Sequence, residues 1–374
     1  MFKFEILHRS KKSRARVGKI HTPHGVIDTP NFVAVGTNGT LKALDNRMVD
    51  SIGLQLMFCN TYHLLLQPGV DVVRRAGGLH RFINRQMPII TDSGGFQVFS
   101  LAYGSVADEL KSRGMKKRDG HVLKISEEGV LFRSYRDGSP ILLTPESSIQ
   151  AQKALGADII IPFDELPPYH IDAEKLKKSL DRTHRWEKRS LEEHLKNPQD
   201  QAIYAVVHGG VDDNLRKMSC EFLANHPFDG FAVGGSLGKT KPEMIAMLAE
   251  VMPRLPESKP NHLLGIGDLE SLKLCMPLGI DTFDSSYPTR AARHGLLLTK
   301  EGGVKAEKGE NGNHFGPIEH GCDCWTCKHF TLAYLHHLFK ARELTAHTLA
   351  TVHNLHFMVS LMSDYRAAIQ SDSI

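Results

Sequence analysis

Disulfide chemistry is the first thing this sequence lacks: six cysteines in 374 residues are too few for a disulfide scaffold, and three of them crowd into one short cluster. That usage fits a reduced, cytoplasmic protein carrying a metal site. Long hydrophobic runs are missing as well. No uninterrupted apolar stretch reaches the length that spans a bilayer, so no membrane segment is expected. The start, Met1-Phe2-Lys3-Phe4-Glu5, has no apolar run behind a basic beginning, so no secretory signal is expected either. Charge is nearly balanced. A formal net charge of +4 permits a nucleic-acid partner without arguing for one. The length suggests about two domains, or one α/β barrel of about 250 residues with additions.

What is present is a rhythm. Residues 1–29 hold short β-like pieces, Phe2 to Ile6, Arg16 to His21 and Val26 to Thr29, expected to form a small antiparallel sheet closing one end of the main domain. The basic run Arg9 to Arg16 between the first two reads as a solvated hairpin tip. From Pro30, apolar runs alternate with helical patterns, the signature of parallel βα units. The runs are Asn31 to Val35, Leu54 to Cys59, Met87 to Thr91, Asp158 to Phe163, Ile203 to Val207, Gly230 to Val233, His262 to Ile266 and Ile280 to Phe283. Helical spacing lies among them at Ser147 to Leu155, Ala173 to Leu195, Asn214 to Ala224, Pro242 to Val251 and Leu269 to Met276. This predicts an α/β fold, a (β/α)8 TIM barrel over 30–300, with a metal-binding subdomain and C-terminal helices over 301–374.

Such barrels keep their active sites at the C-terminal ends of the strands. There the sequence sets Asp92-Ser93-Gly94-Gly95-Phe96, Asp164-Glu165, His208-Gly209-Gly210, Gly234-Gly235, Gly265-Ile266-Gly267 and Asp284. Carboxylates and glycine turns on one rim are hard to assign to structure alone. Beyond Asp284 the chain is expected to turn at Pro288 and present Arg290 and Arg293, whose guanidinium forks suit phosphate oxygens. The polar, basic stretch Tyr103 to His121, with helical spacing over Val106 to Arg113, reads as an insertion on the same side. Glu301 to Gly321 reads as a glycine-rich loop leading to Cys322-Asp323-Cys324-Trp325-Thr326-Cys327. Three thiolates at that spacing call for a tetrahedral zinc and a fourth ligand, with His329, His336, His337, His347, His353 and His356 as candidates.

The chain resembles the bacterial-type tRNA-guanine transglycosylases, also called queuine tRNA-ribosyltransferases, over nearly its whole length. The resemblance rests on Asn60-Thr61-Tyr62-His63-Leu64, Thr91 to Val98, Phe163-Asp164-Glu165, Phe231 to Gly235, Phe283-Asp284 with Pro288-Thr289-Arg290, and on the cysteine cluster followed by a histidine after 25 intervening residues. It implies a homodimeric barrel with a structural zinc on Cys322, Cys324, Cys327 and His353. It implies exchange of guanine at the wobble position of GUN-anticodon tRNAs for a 7-deazaguanine. Asp284 is then the nucleophile on C1′ of the ribose and Asp92 the general acid/base. The base would be bound by Ser93, Gly94, Gly95, Phe96, Asp164, His208 and Gly235, with Phe96 stacked on its face. RNA contacts would fall on Gly265, Ile266, Gly267, Asp268, Leu269, Glu270 and Ser271, and on Thr289, Arg290, Ala291, Ala292 and Arg293.

The residue chemistry agrees. Breaking an N-glycosidic bond builds positive charge at C1′, which a carboxylate can trap, and the base must be splayed from the anticodon loop to be reached.

The sequence also departs from the family. His208 stands where glutamine is usual, Leu166 where cysteine is usual, and Ser236-Leu237-Gly238-Lys239 is one residue short. The shorter loop and the bare Gly238 predict room beside the 7-substituent, and so a preference for queuine over the aminomethyl precursor. A non-catalytic family member, a zinc deaminase and a plain barrel glycosidase are the competing readings. The first is opposed by the presence of both Asp92 and Asp284, the second by a metal cluster beyond the barrel, and the third by the arginine turn and metal subdomain.

Overall fold

Side chains alternate along a strand, so a strand buried on both faces serves two cores at once. In a computed structural model, which describes residues 2–103 and 122–374, the expected runs do this. β1 (Lys3–Arg9), β2 (Arg16–Thr22) and β3 (Gly25–Thr29) form an antiparallel sheet. β4 (Asn31–Val35), β5 (Met57–Cys59) and β6 (Ile89–Thr91) follow. β7 (Val122–Ile125), β8 (Val130–Arg133) and β9 (Pro140–Leu143) make a second antiparallel sheet. β10 (Ile159–Ile160), β11 (Ala202–Val207), β12 (Gly230–Val233), β13 (Asn261–Leu263) and β14 (Thr282–Ser285) complete a closed parallel barrel in which β10 pairs with β6 and β14 returns to β4.

Val33, Phe58, Ile90, Ile159, Tyr204, Val206 and Ala232 point into the barrel, where Ile20 and Ile27 of the N-terminal sheet join the same cluster and close its floor. Their neighbours Phe32, Ala34, Met57, Ile203, Ala205, Phe231, Val233, Leu263 and Phe283 face outward into the helical layer. Helices start where a side chain can satisfy the free N–H groups of the first turn. Thr144, Asp172, Asp212, Thr240 and Asp268 cap the helices Pro145–Leu155, Ala173–Lys196, Asp213–Ala224, Lys241–Val251 and Leu269–Cys275, each accepting from a backbone N–H inside its helix.

Several expectations need correction. The basic run is not wholly solvated: Ala15 and Arg16 are buried. Arg16 forks onto Asp281 (Nε–Oδ1 3.0 Å, Nη2–Oδ2 2.6 Å) and donates to the carbonyls of Glu257 and Lys259, tying the N-terminal sheet to the barrel floor. Asp284 lies within β14 rather than past its end, its backbone in register with Val33. The turn at Pro288 is the first turn of a helix, Tyr287–Arg293. Proline at that position costs nothing, because the missing N–H would have no helical partner. The glycine-rich loop begins as a strand, β16 (Gly302–Lys305), paired with β15 (Leu296–Thr299); residue 300 sits in the turn between them. The sheet β7–β9 was not anticipated. Val130, Phe132 and Leu143 pack it against Tyr62, Val98, Phe99, Phe163 and Trp186. The expected helix at Val106 to Arg113, and most of the insertion containing it, lie outside the described residues.

The helices Leu332–Lys340 and Leu344–Gln370 follow the cysteine cluster. The longer one belongs to two cores. Ala346, Leu349 and Ala350 join the C-terminal lobe, while Val352, Leu355, Met358, Met362 and Ile369 join the outer layer of the barrel. Among the described residues no helix is long and apolar enough to cross a membrane.

Candidate functional site

Because the barrel strands are parallel, every strand-end motif lands on one rim. Asp92 follows β6 and is buried. Asn60 Nδ2 donates to its Oδ2 at 2.6 Å and the Thr61 N–H to its Oδ1 at 2.7 Å. Burial pushes the Asp92 carboxyl up and outweighs these donors, leaving it at about 6. A carboxyl with that setting can both give and take a proton near neutrality.

Asp164 follows β10 and has both oxygens engaged. Ser93 Oγ donates to Oδ1 at 2.9 Å, and His208 Nε2 lies 2.8 Å from Oδ2. His208 is therefore a partner of Asp164, which is the role the structure gives to the residue standing where glutamine is usual. Gly235 has φ +76° and lies so close to His208 that a Cβ would sit 2.7 Å from Nδ1; only glycine allows that approach. Phe96, in the first turn of the helix Gly95–Tyr103, is 47% exposed. Gly94 and Gly95 lead into that helix, and the Gly95 N–H donates to Ser93 Oγ at 3.1 Å. Glu187, which the sequence did not single out, is fully buried nearby. Burial first, and the charge of Asp164 second, raise its carboxyl well above the usual range.

Asp284 on β14 is buried, and its hydrogen bonds fall on one oxygen. His262 Nε2 lies 3.0 Å from Oδ1, and the Gly265 N–H donates to the same atom at 2.8 Å. Among the described residues Oδ2 has no hydrogen-bond partner. His262 was also missed. Its signal was alternation: Leu263 and Phe283 face outward, so His262, Thr282 and Asp284 must face into the barrel, where a polar side chain needs a reason.

The two stretches expected to meet RNA are only partly presented. Ser271, Thr289, Ala291 and Ala292 are buried, so their side chains do not reach solvent, and the backbone of Gly267 is buried too. Helical spacing explains this: Arg290 and Arg293 share the outer face while the alanines pack inward. Neither arginine forms an ion pair among the described residues. Asp268 and Glu270 are both paired with Lys241, at 2.8 and 2.5 Å, which offsets negative charge beside that face. The room expected at Gly238 is not there. A Cβ on Gly238 would meet Glu243 at 3.0 Å, and its φ of +109° shows that the residue is glycine for the turn. Leu166 packs against the cluster holding Phe163 and Trp186.

In the C-terminal lobe, Cys322, Cys324, Cys327 and His353 converge. The sulfurs lie 3.8, 3.6 and 3.4 Å from His353 Nδ1. A tetrahedral ion with sulfur at about 2.3 Å and nitrogen at about 2.0 Å separates those donors by about 3.5 Å, so the four side chains fit one ion. His353 Nε2–H donates to the Leu298 carbonyl at 2.8 Å, which fixes Nδ1 as the ligand atom. A second group, His24, His80 and Asp158, gathers at the barrel floor. Its two imidazoles are stacked 3.5 Å apart and 11° from parallel. An ion must lie near the plane of each ring that binds it, and these planes share no nearby point. His80 Nε2 is 3.1 Å from Asp158 but not aligned for a hydrogen bond, whereas His24 Nδ1 is bonded at 2.8 Å.

The family model for queuine tRNA-ribosyltransferase matches residues 10–374. The queuine tRNA-ribosyltransferase of Protochlamydia amoebophila is 75% identical over 373 residues, covering 100% of this chain and 96% of that protein. Those of Chlamydia caviae and Chlamydia trachomatis are 54% and 52% identical, each covering 100% of this chain and 99% of the relative. The chain therefore belongs to the queuine tRNA-ribosyltransferase family and is a transferase.

Proposed function

We propose that this enzyme replaces guanine at the wobble position of GUN-anticodon tRNAs with a 7-deazaguanine through a ribosyl ester on Asp284. The observation that carries this reading is the contrast between two buried carboxyls on one rim. Asp92 sits at about 6, suited to proton traffic, while Asp284 has one oxygen anchored and the other unengaged. Asp284 Oδ2 bonds to C1′ as the C1′–N9 bond breaks, and the electron pair leaves on guanine, which takes the proton of Asp92. The incoming base then gives a proton to Asp92, and its nitrogen attacks C1′. The C1′–Oδ2 bond breaks and its electron pair returns to Asp284. Covalent capture keeps the ribose from water between the two bases. Asp164, oriented by Ser93 and His208, accepts from the donor edge of the base; the Gly235 backbone completes that edge, and Phe96 stacks on the face. Arg290 and Arg293 take phosphates of the anticodon loop.

The metal in this reading is zinc, one per chain, and structural: four protein ligands leave no open position for chemistry. The assembly is a homodimer. Phe315, Trp325, Tyr334 and Leu344 are large apolar side chains exposed on the C-terminal lobe, and the Trp325, Phe330 and Tyr334 rings are contiguous at 5.2 and 5.6 Å. Exposed apolar patches of this kind are covered in a stable assembly. Light scattering at micromolar protein is expected to give twice the chain mass, and Trp325→Glu to shift it to one chain. A single-chain mass for the unaltered protein overturns the dimer.

The incoming base is queuine. The relatives carry queuine in their names. Gly238→Val is not a clean probe, since φ +109° would strain any side chain there. The test is base exchange. With tRNA carrying labelled guanine at the wobble position, the enzyme is expected to release label when given queuine, with kcat/KM about tenfold or more above that for the aminomethyl base, as for one buried apolar group worth about 1–3 kcal/mol. Equal or better use of the aminomethyl base removes the queuine preference. No release with either base removes the exchange reading.

A further inference from the structure

The nucleophile of the proposed reaction, Asp284, is held asymmetrically, and the geometry points to His262 as the residue that controls how its ester is resolved. This inference rests on the covalent reading above. His262 is fully buried on β13, and both its ring nitrogens are engaged. Nε2 lies 3.0 Å from Asp284 Oδ1, and Nδ1 lies 2.8 Å from Thr282 Oγ1. An ionised carboxylate only accepts, so the Nε2 proton is on the histidine. Thr282 can donate to Nδ1 or, by rotating its hydroxyl, to the Asn261 carbonyl at 3.2 Å. The donor toward Asp284 is therefore preserved in either arrangement. Gly265 N–H supplies a second donor to Oδ1, at 2.8 Å.

Both donors thus aim at the oxygen that does not attack. Once Oδ2 is bonded to C1′, Oδ1 is the carbonyl oxygen of the ester. When the incoming base breaks the C1′–Oδ2 bond, the returning electron pair is shared with Oδ1, and negative charge develops where two fixed donors already point. Preorganised donors at a site of developing charge lower the barrier of the step that develops it. The same donors stabilise the free carboxylate and so make the forward attack slightly harder. His262 is accordingly a positioning residue that favours resolution of the adduct over its formation. It also fixes the attacking atom, since Oδ1 cannot turn toward the ribose without losing both donors.

The test compares unaltered enzyme with His262→Gln, whose side-chain amide can place a donor near the Nε2 position, and with His262→Asn and His262→Phe, which cannot. Three quantities are read: exchange turnover, the fraction of enzyme held as a denaturant-stable RNA adduct at steady state, and the melting temperature. His262→Phe and His262→Asn are expected to lose about ten- to hundredfold in turnover while the adduct fraction rises, because one charge-assisted hydrogen bond is lost from the resolving step. His262→Gln is expected to recover turnover to within a few-fold. Should His262→Phe melt early, the Gln–Asn comparison carries the test, since the two differ by where the amide sits. An adduct fraction that falls in step with turnover, or a Gln variant that melts normally and shows no recovery, overturns the role of His262. Absence of any adduct on unaltered enzyme that still exchanges bases overturns instead the covalent reading on which it rests.

Discussion

Asp284→Asn is expected to abolish base exchange, by ~10⁴-fold or more, because an amide oxygen is a far poorer nucleophile than a carboxylate and nucleophile deletions cost losses of this order. The fold should survive the change. The two donors to Asp284, His262 Nε2 and the Gly265 N–H, both fall on Oδ1, and an amide oxygen in that place accepts from both. The new amide nitrogen then occupies the position of Oδ2, which has no hydrogen-bond partner to lose among the described residues. Melting temperature and tRNA affinity should therefore stay close to those of the unaltered protein. The labelled-guanine assay reads the loss, and a denaturing gel reads the disappearance of the RNA adduct. Turnover within tenfold of the unaltered enzyme would remove Asp284 from the mechanism.

The second large effect concerns stability. Freshly purified protein is expected to contain one zinc per chain, and His353→Ala to lose it. His353 is buried, with Nδ1 facing three sulfurs and Nε2 bound to the Leu298 carbonyl, so its removal breaks the ligand set and the tie to β15 together. Structural zinc contributes directly to folding, with binding worth about 10–16 kcal/mol in small zinc-binding peptides, so several kcal/mol should vanish from this lobe. The lobe has little else: its apolar cluster is small and centred on Leu297, Leu332, Leu335, Leu338 and Leu349. The barrel should outlast it, because Val352 to Ile369 of the long C-terminal helix are anchored in the barrel's outer layer. Elemental analysis, together with circular dichroism on heating, is expected to show a metal-free variant with an early partial transition. Full metal content in His353→Ala, or no metal in the unaltered protein, would defeat the assignment.

Much of the architecture was legible because it follows from short-range rules. Eight apolar runs separated by helical spacing dictate a parallel barrel, and the caps Thr144, Asp172, Asp212, Thr240 and Asp268 stand next to the helices they start. Boundaries were less legible. The run Asp158 to Phe163 is uniformly apolar after its first residue, yet only Ile159 and Ile160 pair as a strand, since pairing depends on what β6 and β11 offer and not on hydrophobicity. The sheet β7–β9 escaped notice because its stability is borrowed. Its apolar side chains are satisfied by Tyr62, Phe99 and Trp186, residues far away in the chain.

At the site the division is similar. The barrel, the rim carboxylates and the ligand types of the cysteine cluster can be read along the chain, because parallel topology sends every strand end to one rim and three thiolates in six residues have few other uses. The state and company of those groups come from folding. Burial, outweighing the donors Asn60 and Thr61, sets Asp92 near 6; His208 faces Asp164, and His262 faces Asp284. Folding also sets Gly238 against Glu243 and Met244 at the start of a helix, and exposes Arg290 and Arg293 but not the alanines between them. The physical reason is range. Hydrophobic period and capping act over a few neighbouring residues and are written along the chain, whereas desolvation and charge pairing depend on atoms that become neighbours only when the barrel closes.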